Sequence, residues 1–450
     1  MASARGEFSS RFGFVMAAAG SAVGLGNIWG FPTQAASNGG AAFLMIYLVV
    51  AFTLAYPALM AELIIGRHAH ANAVTALRKV SSNGPQRFFG GAAGVAGLIV
   101  SSLILSFYAI VAGWMMAFCL SSLASLLGAE GIASWLTSFG FERNILGMLV
   151  FMGLTVAIIA RGVQDGIERW SARLMPVLLL TLVLLVAYVL TLDGAMEGLK
   201  VYLLPDFSRA LEPDLIIKAL GAAFFSLSLG VGTMLIYGSY LDDSQNLPVV
   251  GGLVTIVDIS IAVLAGFLVL PAMYVALHNG VEIFTPAGAL ISEDTLIFTV
   301  LPELFSSMGM AGIVVSIFFF FLMSIAALTS SISMLEVPVA YTVEEHKVGR
   351  KLAAVVIGAC IGLVSITILL NFEWMFGLVI AVTTRYSQPL IGFVFCIYVG
   401  WVWHRDQLLQ ELRKGNPDVA QGLFWKIWPW WVRVVCPLII FTIFAQSLLG

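Results

Sequence analysis

Charge is what this chain has least of. Only 10% of its 450 residues are Asp, Glu, Lys or Arg, against about 25% in an average soluble domain, so a soluble single-domain enzyme does not fit. Lys and Arg total 22, Asp and Glu 25, and the net charge is −3; no basic excess exists with which to grip nucleic acid. Cysteine is equally sparse. Cys119, Cys360, Cys396 and Cys436 all fall in apolar runs without paired spacing, which points to small buried hydrophobes rather than a disulfide framework or a thiolate metal site. The five histidines offer no metal-ligand spacing, and His68 and His70 share a loop. No nucleophile–base motif lies in the apolar runs, which argues against a membrane enzyme.

What the chain has in abundance is apolar sequence, 60% of it hydrophobic. A helix needs about 20 apolar residues to cross a hydrocarbon core of about 30 Å. Such runs recur at 11–36, 41–66, 89–124, 145–161, 167–191, 214–241, 247–276, 309–343, 351–370, 374–403 and 427–449. The sequence therefore reads as an all-α integral membrane protein of eleven spans in one domain covering 1–450. The first run follows Arg5 and Arg11 and lacks the cleavage pattern of a removable signal, so it is expected to be retained. Lys and Arg accumulate on the cytoplasmic side of membrane proteins. An inside N-terminus puts seventeen of the 22 basic residues in cytoplasmic segments, leaves Arg143, Lys200, Arg209 and Lys218 outside, and leaves Arg385 within a span. The C-terminus then lies outside.

Two spans are not ordinary membrane helices. The first carries Ala19-Gly20-Ser21-Ala22-Val23-Gly24-Leu25-Gly26-Asn27, and the sixth carries Phe224-Phe225-Ser226-Leu227-Ser228-Leu229-Gly230-Val231-Gly232. Each begins one of two sets of five spans, 11–191 and 214–403, with 427–449 left over. Glycine-interrupted segments at matching positions in two halves point to a transporter's binding site. The reason is that unwinding frees N–H and C=O groups, each costing several kcal/mol in hydrocarbon unless satisfied. Freed carbonyls coordinate a cation, and half-helix N-termini offer N–H groups to a carboxylate. The competing reading is a packing notch, since Gly20-xxx-Gly24 has the small-xxx-small spacing of helix contacts. Two spans at corresponding positions, each carrying hydroxyls or Asn beside the glycines, favour the binding site.

The motifs resemble those of a known family. Arg11-Phe-Gly-Phe followed by Ala19 to Asn27-Ile-Trp-Gly-Phe-Pro32 is similar to the first-helix signature of the neurotransmitter:sodium symporters. Ala160-Arg-Gly-Val-Gln-Asp-Gly-Ile-Glu-Arg169, Phe224 to Gly232 and Ala327-Leu-Thr-Ser-Ser-Ile332 match later motifs of that family in order. The short loops look like the prokaryotic branch. The resemblance implies a LeuT-type fold of two inverted five-helix repeats plus one helix, unwound at helices one and six. It also implies sodium-driven uptake of an amino acid or related amine, with no organic cofactor. One sodium is expected at the Ala22 carbonyl with Asn27, Ser226 and Asp258. A second is expected at the carbonyls of Gly20, Val23 and Ala326 with Thr329 and Ser330. Such hard cations prefer these oxygen donors. The substrate carboxylate is expected to meet the first sodium, the N–H groups around Leu25 and Gly26, and the Tyr108 hydroxyl. Its amino group is expected near carbonyls of Ala22, Phe225 and Ser226. Ser21 and Gly24 belong to the same broken segment, and Ile104, Phe225, Ser228, Val231, Ser330 and Met334 are expected to line the side-chain end, with Phe225 as lid.

Intramembrane charges are functional candidates by default. Asp258 stands where many family members have Asn and take a nearby charge from chloride, so a fixed Asp implies transport without chloride. Glu62 is expected to brace the unwound first helix, with proton transfer as the alternative, and Glu336 is expected to be solvated by an inner vestibule. Arg5 and Glu344 resemble the inner gate pair with Tyr240 nearby, and Phe8 replaces a usual Trp, implying looser packing there. At the outer gate the usual basic residue is Gly30, and its acidic partner falls near Ile380. Arg385 sits about one and a half turns deeper, either pairing with a carboxylate such as Glu373 or attracting an anionic substrate group. A ligand-gated channel or a transporter-like sensor without active accumulation remains the alternative, although a channel needs a continuous polar pore or charged rings.

Overall fold

The computed structural model describes residues 6–204, 212–284 and 296–449. Among these residues the elements are helices. Nine continuous helices are long and apolar enough to cross a membrane: Ala41–Ala69, Gly84–Leu126, Phe141–Ile159, Val163–Val189, Leu247–His278, Gly309–His346, Arg350–Leu370, Phe372–Val402 and Leu423–Leu448. A tenth is a bent pair, Arg11–Ala22 and Gly26–Ser37, turning by 60° at the break. The sixth span of the sequence reading is split into Pro213–Ser226 and Thr233–Gly238, each piece too short to cross alone. Counted with its break as one span, it makes the described helices compatible with eleven spans.

The spans sort by burial. Spans two, three, seven and eight are 56–67% buried within the protein, whereas span eleven is 22% buried and therefore peripheral. The long third and eighth spans pack along each other. The first half of span one lies against spans five, seven and eight, and both pieces of span six pack on span two. Ser10 caps span one by accepting the Gly13 N–H at 3.0 Å, a cap that satisfies an end donor. Glu168, at the start of span five, accepts from the Ser9 N–H, Ser9 Oγ and Ser10 Oγ at 2.7–2.8 Å. That approach requires Gly13, because a Cβ there would stand 2.0 Å from Glu168 Oε1.

One charged cluster lies beyond the spans. The amphipathic helix Arg405–Gly415 connects spans ten and eleven and docks Glu411 onto the end of span two. Arg67 Nε donates to Glu411 Oε1 at 2.9 Å, and Lys414 Nζ and His68 Nδ1 approach Oε2 at 3.0 and 3.2 Å. Arg67 also donates to the Gln245 carbonyl at 2.6 Å, so the linker after span six is held too. Burial acts to raise the Glu411 carboxyl, but hydrogen bonds from His68 and Lys414 and the Arg67 charge outweigh it and hold the group at about 2.

A depressed carboxyl contributes stability that is full above its unfolded value near 4.5 and is lost as pH falls toward about 2. Glu411→Gln leaves Arg67 buried without its counter-charge, a cost of about 3–5 kcal/mol. Thermal unfolding in detergent at pH 7 is expected several degrees lower for the variant, with the gap closing below pH 4.5. Coincident melting curves at pH 7 would contradict this role.

Candidate functional site

Both breaks occur where the sequence places them. In span one the helix ends at Ala22, and the chain resumes at Gly26 in a wide, five-residue π-helical turn, a local form common at functional sites. In span six the break runs through Ser228, Gly230 and Gly232, with φ of +51°, +76° and +81°. Glycine is required at 230 for a second reason, since a Cβ would stand 2.1 Å from the Gln388 carbonyl oxygen.

Three side chains join the breaks. Asn27 Nδ2 donates to Asp258 Oδ1 at 2.7 Å and to Ser226 Oγ at 2.8 Å, and Ser226 Oγ donates to Asp258 Oδ2 at 2.7 Å. Asn27 Oδ1 accepts the freed Gly24 N–H at 3.3 Å. Asp258, from the middle of span seven, is 1% exposed, so its carboxylate depends on these donors. Tyr47 adds its hydroxyl, 3.2 Å from Ser226 Oγ. The residues expected around the first sodium, Asn27, Ser226 and Asp258, are thus brought into one contact set.

The second expected set also assembles. Ser330 Oγ donates to the carbonyls of Val23 and Gly20 at 3.1 and 3.3 Å. Thr329 Oγ1 donates to Ala326 and Ile325 at 3.1 Å, and a Cβ on Gly20 would stand 3.0 Å from the Thr329 Cβ. Span eight therefore presents the Ser330 hydroxyl directly to the carbonyls at the end of the first half of span one, while Thr329 donates within its own helix.

Above the breaks opens a chamber of about 610 Å³. Leu25, Gly26, Tyr108, Phe225 and Ser226 form its floor, and the Leu25 N–H lies 3.2 Å from the Tyr108 hydroxyl. Phe225 is 42% exposed, so the expected lid is open. The other expected pocket residues are not among those lining the chamber. Ser228 donates to the Ser21 carbonyl at 2.9 Å, and Ser21 donates to Ser333 at 2.7 Å. Ile104, Val231 and Met334 are buried, and Gly24 packs so that a Cβ would meet Ser330 Oγ at 2.8 Å and the Tyr108 hydroxyl at 2.9 Å. Gly30, Ile380 and Arg385 all line the chamber. Glu373 makes no ion pair with Arg385 among the described residues.

Several expectations need correction. Glu62 braces the other break: Oε1 accepts the Gly230 N–H of span six at 2.7 Å, because the end of span two packs on Thr233–Gly238. Glu336 is not solvated. It is fully buried and accepts from the Tyr240 hydroxyl and from Arg350, both at 2.5 Å. Tyr240 thus also contacts the Glu336–Arg350 pair, and the expected inner gate of Arg5, Tyr240 and Glu344 falls partly outside the described residues. Glu344 accepts from the Asn72 N–H and Nδ2 at 2.7 and 2.9 Å, while Arg5 lies outside the described residues. Phe8 is not loosely packed, since its ring meets Phe14, Tyr237 and Tyr240 with centroids 5.3–6.3 Å apart. Sequence reasoning missed Tyr47, Gln388 and Arg350. Gln388 was detectable as an amide inside a membrane span, and Nε2 donates to the unwound Leu229 carbonyl at 2.8 Å. Arg350 was detectable only once its buried carboxylate partner was known.

Paired helix breaks joined by a buried carboxylate, beneath a chamber open on one side, define a multi-pass membrane transporter of LeuT-type architecture. The chain belongs to the sodium:neurotransmitter symporter family, whose model matches residues 5–144 and 132–450. It is 36% identical over 456 residues to YhdH of Bacillus subtilis (strain 168), an uncharacterized sodium-dependent transporter, covering 98% of this chain and 97% of the relative. It is 28% identical over 389 residues to the sodium- and chloride-dependent taurine transporter of Bos taurus, covering 76% of this chain and 61% of that protein. The crystal structure of MhsT in complex with L-phenylalanine superposes with a TM-score of 0.84 at 35% identity, covering 98% of this chain and all of that one.

The crowding at Gly24 gives a direct test. Gly24→Ala pushes span one away from Ser330 and Tyr108 by a few tenths of an ångström. Substrate affinity in sodium is expected to fall at least about tenfold, the equivalent of 1.4 kcal/mol, with the melting temperature little changed. Unchanged affinity would show that this contact is not part of the site.

Proposed function

We propose that the chain is a sodium-coupled symporter of the cytoplasmic membrane that imports an amino acid or related zwitterion by alternating access, without a chloride requirement. The observation that carries this reading is the Asn27–Ser226–Asp258 contact set, which ties both breaks to one fixed negative charge. In it the Asn27 amide N–H groups stand where a cation would be attracted. A sodium ion arriving there takes Ser226 Oγ and Asp258 Oδ as ligands, and the Asn27 amide turns its oxygen toward the ion, joined by the Ala22 carbonyl. A second ion takes the carbonyls of Gly20, Val23 and Ala326 with Thr329 and Ser330, replacing the Ser330 hydrogen bonds to Gly20 and Val23. Sodium is cargo in both places.

The N-terminus lies inside and the C-terminus outside, so the chamber faces the exterior. Five spans separate the starts of 11–191 and 214–403, so the two repeats run in opposite directions across the membrane. The substrate carboxylate displaces Tyr108 from the Leu25 N–H, and closure then brings Phe225 over it. On the inner side the buried Tyr240–Glu336–Arg350 set joins the Arg5 and Glu344 region as the barrier that must open. Sodium drives the switch only through tighter binding to one state.

Uptake into proteoliposomes tests this. Accumulation of an amino acid is expected with external sodium, to vanish in potassium, and to persist when gluconate replaces chloride. Asp258→Asn removes the fixed charge and is expected to reduce chloride-free uptake at least about tenfold, a loss of 1.4 kcal/mol or more. Sodium-driven uptake with a strict chloride requirement in the wild type would overturn the role given to Asp258.

A further inference from the structure

Span eleven is the least buried of the continuous spans, at 22%, and its first turns sort by face. Trp428 and Trp431 turn inward, and their ring nitrogens donate to the Pro57 and Thr53 carbonyls of span two at 3.0 and 2.5 Å. Lys426, Trp430 and Arg433 turn outward and are exposed. Arg433 stands about 15 Å along the helix from Leu423, so it belongs to the span and not to the connecting linker. A charge on the outer face of a span meets lipid, which is costly unless something pairs with it.

The structure holds that charge in one place. The π-helical turns Trp431–Val435 and Tyr398–Val402 pack on each other. The approach is close enough that a Cβ on Gly400 would stand 2.6 Å from the Arg433 Cα. Trp401 Nε1 donates to the Arg433 carbonyl at 2.8 Å, and the Arg433 guanidinium lies over the Trp401 ring, 4.2 Å from its centroid. Stacking fixes the guanidinium plane and leaves its N–H edges free. Neither Arg433 nor Lys426 makes a side-chain hydrogen bond or ion pair to any described residue. Glu411, the buried acid of the preceding linker helix, is already shared by Arg67, His68 and Lys414.

We propose that Arg433 and Lys426, with the exposed rings of Trp401 and Trp430, form a binding site for the headgroup of an anionic phospholipid in the cytoplasmic leaflet. The inside N-terminus proposed above puts the Leu423 end of span eleven at that leaflet, where anionic lipids concentrate. A long basic side chain snorkels from the span to the phosphate layer, and a guanidinium grips phosphate oxygens with paired donors. Trp rings sit at this depth by preference. Two open cations without an acceptor beside them select a headgroup of net negative charge, since the ammonium of a zwitterionic headgroup finds no partner here. The bound lipid fastens the inner end of a span that the protein itself holds weakly.

The test is lipid binding to the purified full chain in a neutral detergent, read by native mass spectrometry with dioleoylphosphatidylglycerol and dioleoylphosphatidylcholine as probes. It requires no transport, so its failure and the failure of the transport reading are separate results. The wild type is expected to bind its first phosphatidylglycerol at least about fivefold more tightly than phosphatidylcholine, the order set by one basic side chain at an anionic surface. Arg433→Gln is expected to bring the two lipids within about twofold of each other. Arg433→Lys is expected to keep part of the preference, because the charge stays while the fork and the stack are lost. Phosphatidylglycerol is expected to raise the melting temperature of the wild type and not that of Arg433→Gln. Lys426→Gln lies clear of the contact with span ten and decides the matter where Arg433→Gln does not fold. Its melting temperature is expected to match the lipid-free wild type, with the preference reduced about twofold. No preference in the wild type, or an equal preference in the wild type and both Gln variants, overturns the site. A wild type that is dimeric in lipid-free detergent and becomes monomeric as Arg433→Gln also overturns it, by giving this face to a second copy of the chain.

Discussion

Everything distinctive in this molecule follows from two stretches of unwound backbone placed in an apolar interior. Free N–H and C=O groups in such surroundings cost several kcal/mol each, so each needs a partner from a neighbouring span. Asn27 accepts from Gly24, and Glu62 accepts from Gly230. Gln388 donates to Leu229, Ser228 to Ser21, and Ser330 to Val23 and Gly20. Spans two, eight and ten carry polar side chains in mid-run for this purpose, and span seven carries Asp258 for the cluster that joins the breaks.

The same bonds bear on the switching proposed above. Backbone groups held by side chains rather than by a helix ladder exchange partners without unfolding a helix. Under the proposed function, a cation among Asn27, Ser226 and Asp258 would replace N–H donors with its own charge, and one beside Ser330 would free a hydroxyl. Ion arrival would then alter the geometry of both breaks at once. The surrounding scaffold is held by the packing of spans three and eight and by the Arg67–Glu411 cluster.

The architecture was legible because its cause is local. Gly20, Gly24 and Gly26 against Gly230 and Gly232 mark the breaks, and uninterrupted apolar runs mark the other spans. Asp258 was legible for the same reason, as a lone acid in such a run. Glu62 was recognisable as a brace but not as the brace of span six, because the partner of a buried acid is set by which helix packs against it. Glu336 shows the same limit: its burial depends on Arg350, a residue that by sequence belongs to a connecting loop. Tyr47 gave no signal, since a tyrosine among apolar residues has no pattern to distinguish a ligand neighbour from core. Phe8 was misjudged because ring packing depends on three aromatic neighbours drawn from both repeats.

The central claim is that sodium orders both breaks together through one shared cluster. Hydrogen–deuterium exchange of backbone amides, compared in sodium and in potassium, tests it most directly. The account predicts that peptides covering Val23–Gly26 and Leu227–Gly232 both exchange more slowly in sodium, with the same dependence on its concentration. Protection of neither segment, or of one without the other, would contradict it.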